Sequence, residues 1–147
     1  MAGTQQLGRR DSEAAANEAS LVDIAIRSGI VALTIATGAI HLTLGGLLFT
    51  LNGLGYVAGA IAMVIPLELA ARYRGVIRLG LLAYTATTII GWYLMGPRYE
   101  TAYVAKAIEI GLIVLLAIEI RRLDGGPVAI VRRVLGDAVA AAQRAAR

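Results

Sequence analysis

Apolar residues in this chain occur in long unbroken blocks, rather than at alternate positions or along one face of otherwise polar helices. A transmembrane α-helix takes about 20 predominantly apolar residues, and four blocks reach that length. The predicted spans are residues 26–44, 47–66, 76–95 and 102–120. A soluble helical bundle, the competing class, would need a polar face on every helix, and the blocks offer none. The pattern therefore predicts an all-α fold, a bundle of four transmembrane helices.

The first apolar stretch, residues 28–67, is too long for one span at a rise of ~1.5 Å per residue, so the chain must turn back within it. Asn52-Gly53 is the stronger local turn signal. A turn there would leave the second helix too short before the charged residues that follow. A turn at Gly45-Gly46 leaves two helices of span length, so length predicts the turn at Gly45-Gly46.

Polar segments flank the apolar region at both ends. The sequence predicts three parts. Residues 1–20 form a mobile polar tail, residues 21–122 form the four-helix membrane domain, and residues 123–147 form a basic cytoplasmic C-terminal segment. Apolar residues recur at helical spacing in that last segment, at Val128, Val131, Leu135 and Val139. The spacing predicts a short amphipathic helix, which lies either on the membrane surface or free in solution.

The arginines predict the orientation. With an even number of spans, both termini and the segment between spans two and three lie on one side of the membrane. Every arginine flanks a span on that side except Arg98, which stands near Glu100. Because basic loops stay in the cytoplasm, we expect both termini there (N-in/C-in), in the cell membrane. The expected charge partner is the anionic cytoplasmic leaflet, and the net charge of +4 requires no nucleic acid.

Composition excludes several kinds of chemistry. Hydrophobic residues make up 58% of the chain, and the mean hydropathy is +0.71. The absence of cysteine excludes disulfides, thiol catalysis and cysteine-ligated metals. A single histidine cannot supply a bis-histidine set for haem, so no metal and no cofactor is expected. No serine or threonine has a recognisable base partner, so no enzymatic activity is expected.

Polar and amphipathic side chains within the spans fall at similar depths. They lie ~5–11 Å below the predicted outer surface, at ~1.5 Å per residue. These residues are His41, Asn52, Thr88, Trp92, Lys106 and Glu109. Facing lipid, Lys106 and Glu109 would together cost several kcal/mol, so we expect them to face the bundle interior. There they are expected to neutralise each other at i,i+3 and to hydrogen-bond Asn52 or His41.

Two interpretations of this outer-leaflet cluster remain open. An intramembrane ionisable pair is either a polar lock that fixes the helices in register, or a proton-handling or ligand site that opens outward.

Small residues predict where helices approach one another closely, because their backbones can come near without steric conflict. The packing candidates are Gly38, Gly45, Gly55 and Gly59.

Short motifs across the four spans resemble those of a group of uncharacterised small four-helix membrane proteins from bacteria and archaea. The motifs are His41-Leu42, Leu51-Asn52-Gly53-Leu54-Gly55-Tyr56, Tyr84-Thr85, Thr88-Ile89 with Trp92, and Lys106-Ala107-Ile108-Glu109. The resemblance covers about residues 28–120 and neither tail. It implies the four-helix topology, and the group has no activity to carry over.

Size, the lack of a soluble domain and the small-residue helix faces favour a non-enzymatic role. We expect an accessory or stabilising subunit of a membrane complex, or a homo-oligomer. The alternative is a small transporter or quinone- or ligand-binding protein with its site at His41, Asn52, Lys106 and Glu109.

Overall fold

The computed structural model describes residues 2–146, with side chains from residue 17 onward. This part of the chain is all-helical and contains no strand. The elements are α1 (Ala2–Thr43), α2 (Leu47–Val64), α3 (Glu68–Arg72), α4 (Arg74–Met95), α5 (Glu100–Glu119), a π-helical turn (Ile120–Asp124) and α6 (Pro127–Ala145). Four helices are long and apolar enough to cross a membrane: residues 17–43 of α1, all of α2, all of α4, and α5 with the π-helical turn.

The first connection turns where the sequence predicts it. Gly45 and Gly46 have φ angles of 72° and 82°, a region that glycine enters without steric cost. The predicted turn at Gly45-Gly46 is therefore confirmed. The alternative turn at Asn52-Gly53 is wrong, because both residues lie inside α2. Apolar length outweighs a local turn signal here.

The N-terminal segment is helical. The sequence predicts a mobile polar tail over residues 1–20 with partial helix through Ala14–Ala16, and the structure continues α1 back to Ala2. Residues 11–19 are rich in Ala and Glu, which favour helix, and contain neither Gly nor Pro. The polar segment therefore extends the helix of the first span. Met1 lies outside the described residues.

The four long helices surround a shared interior. Helix α1 packs against α2 and α5, and α4 packs against the same two helices. The apolar core consists of Ile30, Tyr56, Met63, Leu81, Leu112 and Leu116. Large apolar side chains are also exposed along the outward faces, for example Leu51, Ile61 and Ile110. Such an exterior suits lipid, which offers no hydrogen bonds.

The C-terminal helix is anchored at its start. Gly125 and Gly126 have φ angles of 75° and 105°, and they turn the chain after the π-helical turn. Pro127 then occupies the first turn of α6, where its missing N–H costs no hydrogen bond. Helix α6 contacts α4 through the buried Ile130. The predicted C-terminal helix is confirmed.

Candidate functional site

Glu109 is the centre of a buried polar cluster near the end of the helices where the Gly45-Gly46 and Gly96-Pro97 turns lie, here called the turn end. Its side chain is 0% exposed. Its Oε2 lies 2.6 Å from Nζ of Lys106, one helical turn earlier on α5. Lys106 is 7% exposed, so both members of the ion pair are withdrawn from the outside.

Two hydroxyl groups complete the carboxylate's hydrogen bonds. Thr37 of α1 donates to Oε1 at 3.1 Å, and Thr88 of α4 lies 2.9 Å from Oε2. Tyr56 of α2 lies 2.9 Å from the Thr88 hydroxyl and can donate to it, and the Thr88 proton has two acceptors, Oε2 of Glu109 and the Thr85 carbonyl oxygen at 2.8 Å. The carboxylate thus links α5 directly to α1 and α4, and to α2 through Thr88.

His41 stands beside the same carboxylate in a defined orientation. Its Nδ1 lies 2.8 Å from the carbonyl oxygen of Thr37, which can only accept a hydrogen bond, so Nδ1 carries a proton. The other ring nitrogen, Nε2, faces Oε1 of Glu109 at 3.7 Å, beyond hydrogen-bond distance. The imidazole is 3% exposed and lies 5.6 Å from the Tyr56 ring.

The structure brings together four of the six residues that the sequence places in this cluster: His41, Thr88, Lys106 and Glu109. Asn52 instead pairs with the Tyr84 hydroxyl, which lies 3.0 Å from its backbone carbonyl. Trp92 faces the turn end, where its Nε1 donates to Pro97 and the Arg98 guanidinium lies 4.4 Å from its ring centroid. A similar depth along the helices did not make these two residues neighbours of Glu109.

Two other members of the cluster were not among the residues that the sequence predicted for it. Thr37 and Tyr56 are both 0% exposed and both belong to it. Thr37 lies one turn before His41 on the same helix face, and this spacing could have predicted that Thr37 belongs to the cluster. The reach of Tyr56 to Thr88 depends on how α2 meets α4.

Three of the four packing glycines lie at close helix contacts. A Cβ on Gly38 would lie 3.2 Å from Tyr56, one on Gly59 would lie 2.9 Å from Leu81, and one on Gly55 would overlap the Tyr84 phenol. Gly45 forms the turn instead, with nothing within 4 Å of its Cβ position. Helices α1 and α2 also come close at Gly53, where a Cβ would lie 2.9 Å from the backbone oxygen of Gly38.

A second buried network lies at the opposite end of the helices, here called the arginine end, and the sequence analysis missed it. Arg78 of α4 is 4% exposed, and its Nη1 donates to Asp124 at 3.0 Å. Its Nη2 donates to Glu119 at 3.3 Å, while its Nε lies 3.0 Å from the same carboxylate without hydrogen-bond alignment. Arg27 of α1 donates to Glu119 at 3.2 Å. The network joins α1, α4, α5 and the π-helical turn.

A sequence signal for this network existed. Glu119 is an acidic residue at the end of an apolar span, and such a residue needs a partner. Arg78 was assigned to orientation alone, and only the packing of α4 against α5 shows that it meets Glu119.

Neither network has the ligand set of a metal centre. Within the described part of the chain, no three His, Cys, Asp or Glu side chains are grouped closely enough to hold an ion. A groove of about 970 Å³ runs along α1 toward the arginine end and includes Asp23, Arg27 and Val64 in its lining. It therefore lies apart from Glu109.

No protein-family model, curated protein or solved structure matches this chain. Its function must be inferred from its own residues.

Proposed function

We propose that this chain is a non-enzymatic integral membrane protein that works by associating with other helices in the membrane, as an accessory subunit of a complex or as a homo-oligomer. Both termini lie in the cytoplasm in this proposal. The observation that carries it is the outward face of α4.

Helix α4 presents small residues along that face. Gly80, Ala83 and Thr87 are exposed and Gly91 is half-buried, at intervals of three or four residues. A Cβ on Gly80 or Gly91 would meet nothing within 4 Å, so neither glycine serves packing inside the molecule. Glycine within a helix costs about 1 kcal/mol relative to alanine in soluble hosts. A partner helix that approaches closely would account for the presence of both glycines on this face.

The outward faces of α2 and α5 look different from that of α4. Exposed positions of α2 carry Leu51, Leu54 and Ile61, and those of α5 carry Ile110 and Val114. Large branched side chains fill space against fluid lipid, whereas small residues allow backbones to meet. The Thr87 hydroxyl donates to the Ala83 carbonyl at 2.9 Å, so the α4 face leaves no hydroxyl unpaired in lipid.

The interior polar cluster supports the same proposal. Glu109 receives hydrogen bonds from Lys106, Thr37 and Thr88, all within the chain. Such saturation is what a lock between helices requires, because each polar group finds its partner without a ligand.

Gly80→Leu tests the association. We expect the variant to fold, because the side chain would enter open space, but to lose assembly, because leucine would separate the backbones. Ala58→Leu on the exposed face of α2 is the matched control and should assemble like the native protein. The readout is the number of copies per particle, and the total particle mass, in nanodiscs formed directly from membranes.

A second variant identifies the partner. The native chain has no cysteine, so Gly80→Cys introduces a single crosslinking point on this face. A disulfide between two copies indicates a homo-oligomer, and a particle mass above one copy without that disulfide indicates an accessory subunit. A native protein that is a lone monomer in nanodiscs, or a Gly80→Leu variant that assembles normally, contradicts the proposal.

A further inference from the structure

The basic side chains that can readily release a proton lie apart from those that cannot. Every one of its 14 Lys and Arg residues except Lys106 is an arginine, and His41 is its only histidine. Arginine keeps its proton under all ordinary conditions, whereas lysine and histidine can release one. Lys106 and His41 both lie against Glu109, at 2.6 and 3.7 Å. The only two basic side chains able to give up a proton therefore meet at one buried carboxylate.

Burial limits how much charge this cluster can hold. Glu109 is 0%, His41 3% and Lys106 7% exposed. A buried cation is costly without a compensating anion, and one carboxylate faces two bases. The other ionisable group against the imidazole is Tyr56 of α2, and α4 adds Thr88 and, behind Tyr56, Tyr84. One positive charge balances Glu109, and it resides on Lys106 or on His41.

The two bases approach different oxygens of the carboxylate. Lys106 lies on Oε2, and Nε2 of His41 faces Oε1. Since Nδ1 carries the proton that the Thr37 carbonyl accepts, Nε2 is the nitrogen free to take another. Lys106 is the most exposed of the three.

We propose that the cluster is a proton-exchange site in which Glu109 relays one proton between Lys106 and His41. The Lys106 ammonium transfers a proton to Oε2, which leaves a neutral amine and a neutral carboxylic acid. After rotation about the Cγ–Cδ bond, the carboxylic acid transfers that proton to Nε2 of His41, which becomes an imidazolium. Lys106 has lost one proton, His41 has gained one, and Glu109 is again a carboxylate. The net charge of the cluster does not change.

This inference does not depend on the proposed association. A helix face on α4 can bind a partner whether or not the cluster exchanges a proton, and the two tests use different variants and readouts.

Nitrogen-15 labelling of histidine tests the relay. Because His41 is the only histidine, every labelled imidazole signal comes from it. In nanodiscs, NMR should show a protonated Nδ1 and a bare Nε2 at alkaline pH, with Nε2 gaining a proton on acidification. At a fixed pH, Lys106→Met should raise the ratio of imidazolium to neutral imidazole about tenfold or more, because Glu109 then has no other cation. Glu109→Gln should lower that ratio by a similar factor.

Equal ratios in the native protein and both variants would overturn the proposal, as would a proton found on Nε2 in place of Nδ1 at alkaline pH. A stability measurement covers the case in which Glu109→Gln does not fold. In Lys106→Met, the charge on His41 replaces the lost ammonium, so thermal stability should rise as the pH falls. The double variant Lys106→Met/His41→Gln should lose that rise. A stability of Lys106→Met that does not change with pH counts against the relay.

Discussion

At the scale of single residues, the strongest constraint is that a buried charge needs its partner. Glu109 is 0% and Lys106 7% exposed, too little for solvent to stabilise either charge alone. Their 2.6 Å separation and the hydroxyl groups of Thr37 and Thr88 take the place of solvent. Removing one partner is therefore expected to cost far more than removing both.

A double-mutant cycle measures this coupling. At neutral pH, Glu109→Gln should lower the free energy of unfolding by about 3–5 kcal/mol, because it leaves the Lys106 charge buried without its anion. Lys106→Met should lower it by less, because the imidazole of His41 can take up the charge that balances Glu109. The double variant should lose clearly less than the sum of the two. The measurement is reversible unfolding in mixed micelles, and strictly additive losses would contradict the lock.

At the scale of elements, glycines and arginines set how the helices meet. Gly53 permits a close approach of α1 and α2, and Arg78 ties α4 to the end of α5. In each case the sequence contains the residue, but its effect depends on the neighbouring helix.

Gly53→Ala tests the contact between α1 and α2. The added Cβ would lie 2.7 Å from Leu42 and 2.9 Å from the Gly38 oxygen, so one helix must move. We expect a loss of about 1–3 kcal/mol in unfolding free energy, as for other overpacked sites. Gly136→Ala is the control on α6, where a Cβ meets nothing within 4 Å, and it should be neutral or gain up to about 1 kcal/mol. Similar losses of unfolding free energy in both variants would contradict the explanation by overpacking between α1 and α2.

Arg78→Met tests the network at the arginine end. Asp124 and Glu119 are 6% and 1% exposed and would each lose their main partner, so we expect a loss of about 3–5 kcal/mol. Arg72→Met is the matched control. Its partner Asp137 lies 3.4 Å away with both side chains about half exposed or more, so its loss should stay below about 1 kcal/mol. Thermal unfolding of the two variants side by side decides the matter.

The exposed side of α6 is the third element-scale feature. Val128, Val131, Leu135 and Val139 are exposed in one row, with Arg132 beside it. If α6 lies on an anionic surface, its amide hydrogens should exchange more slowly in nanodiscs with phosphatidylglycerol than with phosphatidylcholine alone. Equal exchange in the two lipids would place α6 free in solution.

At the scale of the whole molecule, the proposal to test is the orientation, that is, which side of the membrane the arginine end and the turn end each face. The proposed orientation rests on the arginines, which gather at one end of the helices. Gly96 is a poor place for a probe, because a Cβ there would overlap Trp92. Thr101 at the turn end and Gly136 on α6 are exposed and suit the purpose.

Single-cysteine labelling of intact cells tests the topology. A membrane-impermeant maleimide should label Thr101→Cys, and it should label Gly136→Cys only after the membrane is broken. Each variant carries one cysteine, because the native chain has none. Labelling of Gly136→Cys in intact cells would contradict the proposed orientation.

The sequence by itself determined the features that run along one dimension of the chain. Apolar length and helical rise located four long helices, and length placed the turn at Gly45-Gly46 against the stronger local signal at Asn52-Gly53. The i,i+3 spacing paired Lys106 with Glu109, because a helix brings such residues together whatever surrounds it.

Only the tertiary structure decided which side chains from different helices meet. Asn52 and Trp92 share the depth of Glu109 but pair elsewhere, while Thr37 and Tyr56 join it. Arg78 reaches Asp124 across 46 positions of sequence. The physical reason is that hydropathy and spacing fix the depth of a residue and its place on its own helix. The rotation of each helix against its neighbours depends on packing between helices, and that rotation chooses the partners.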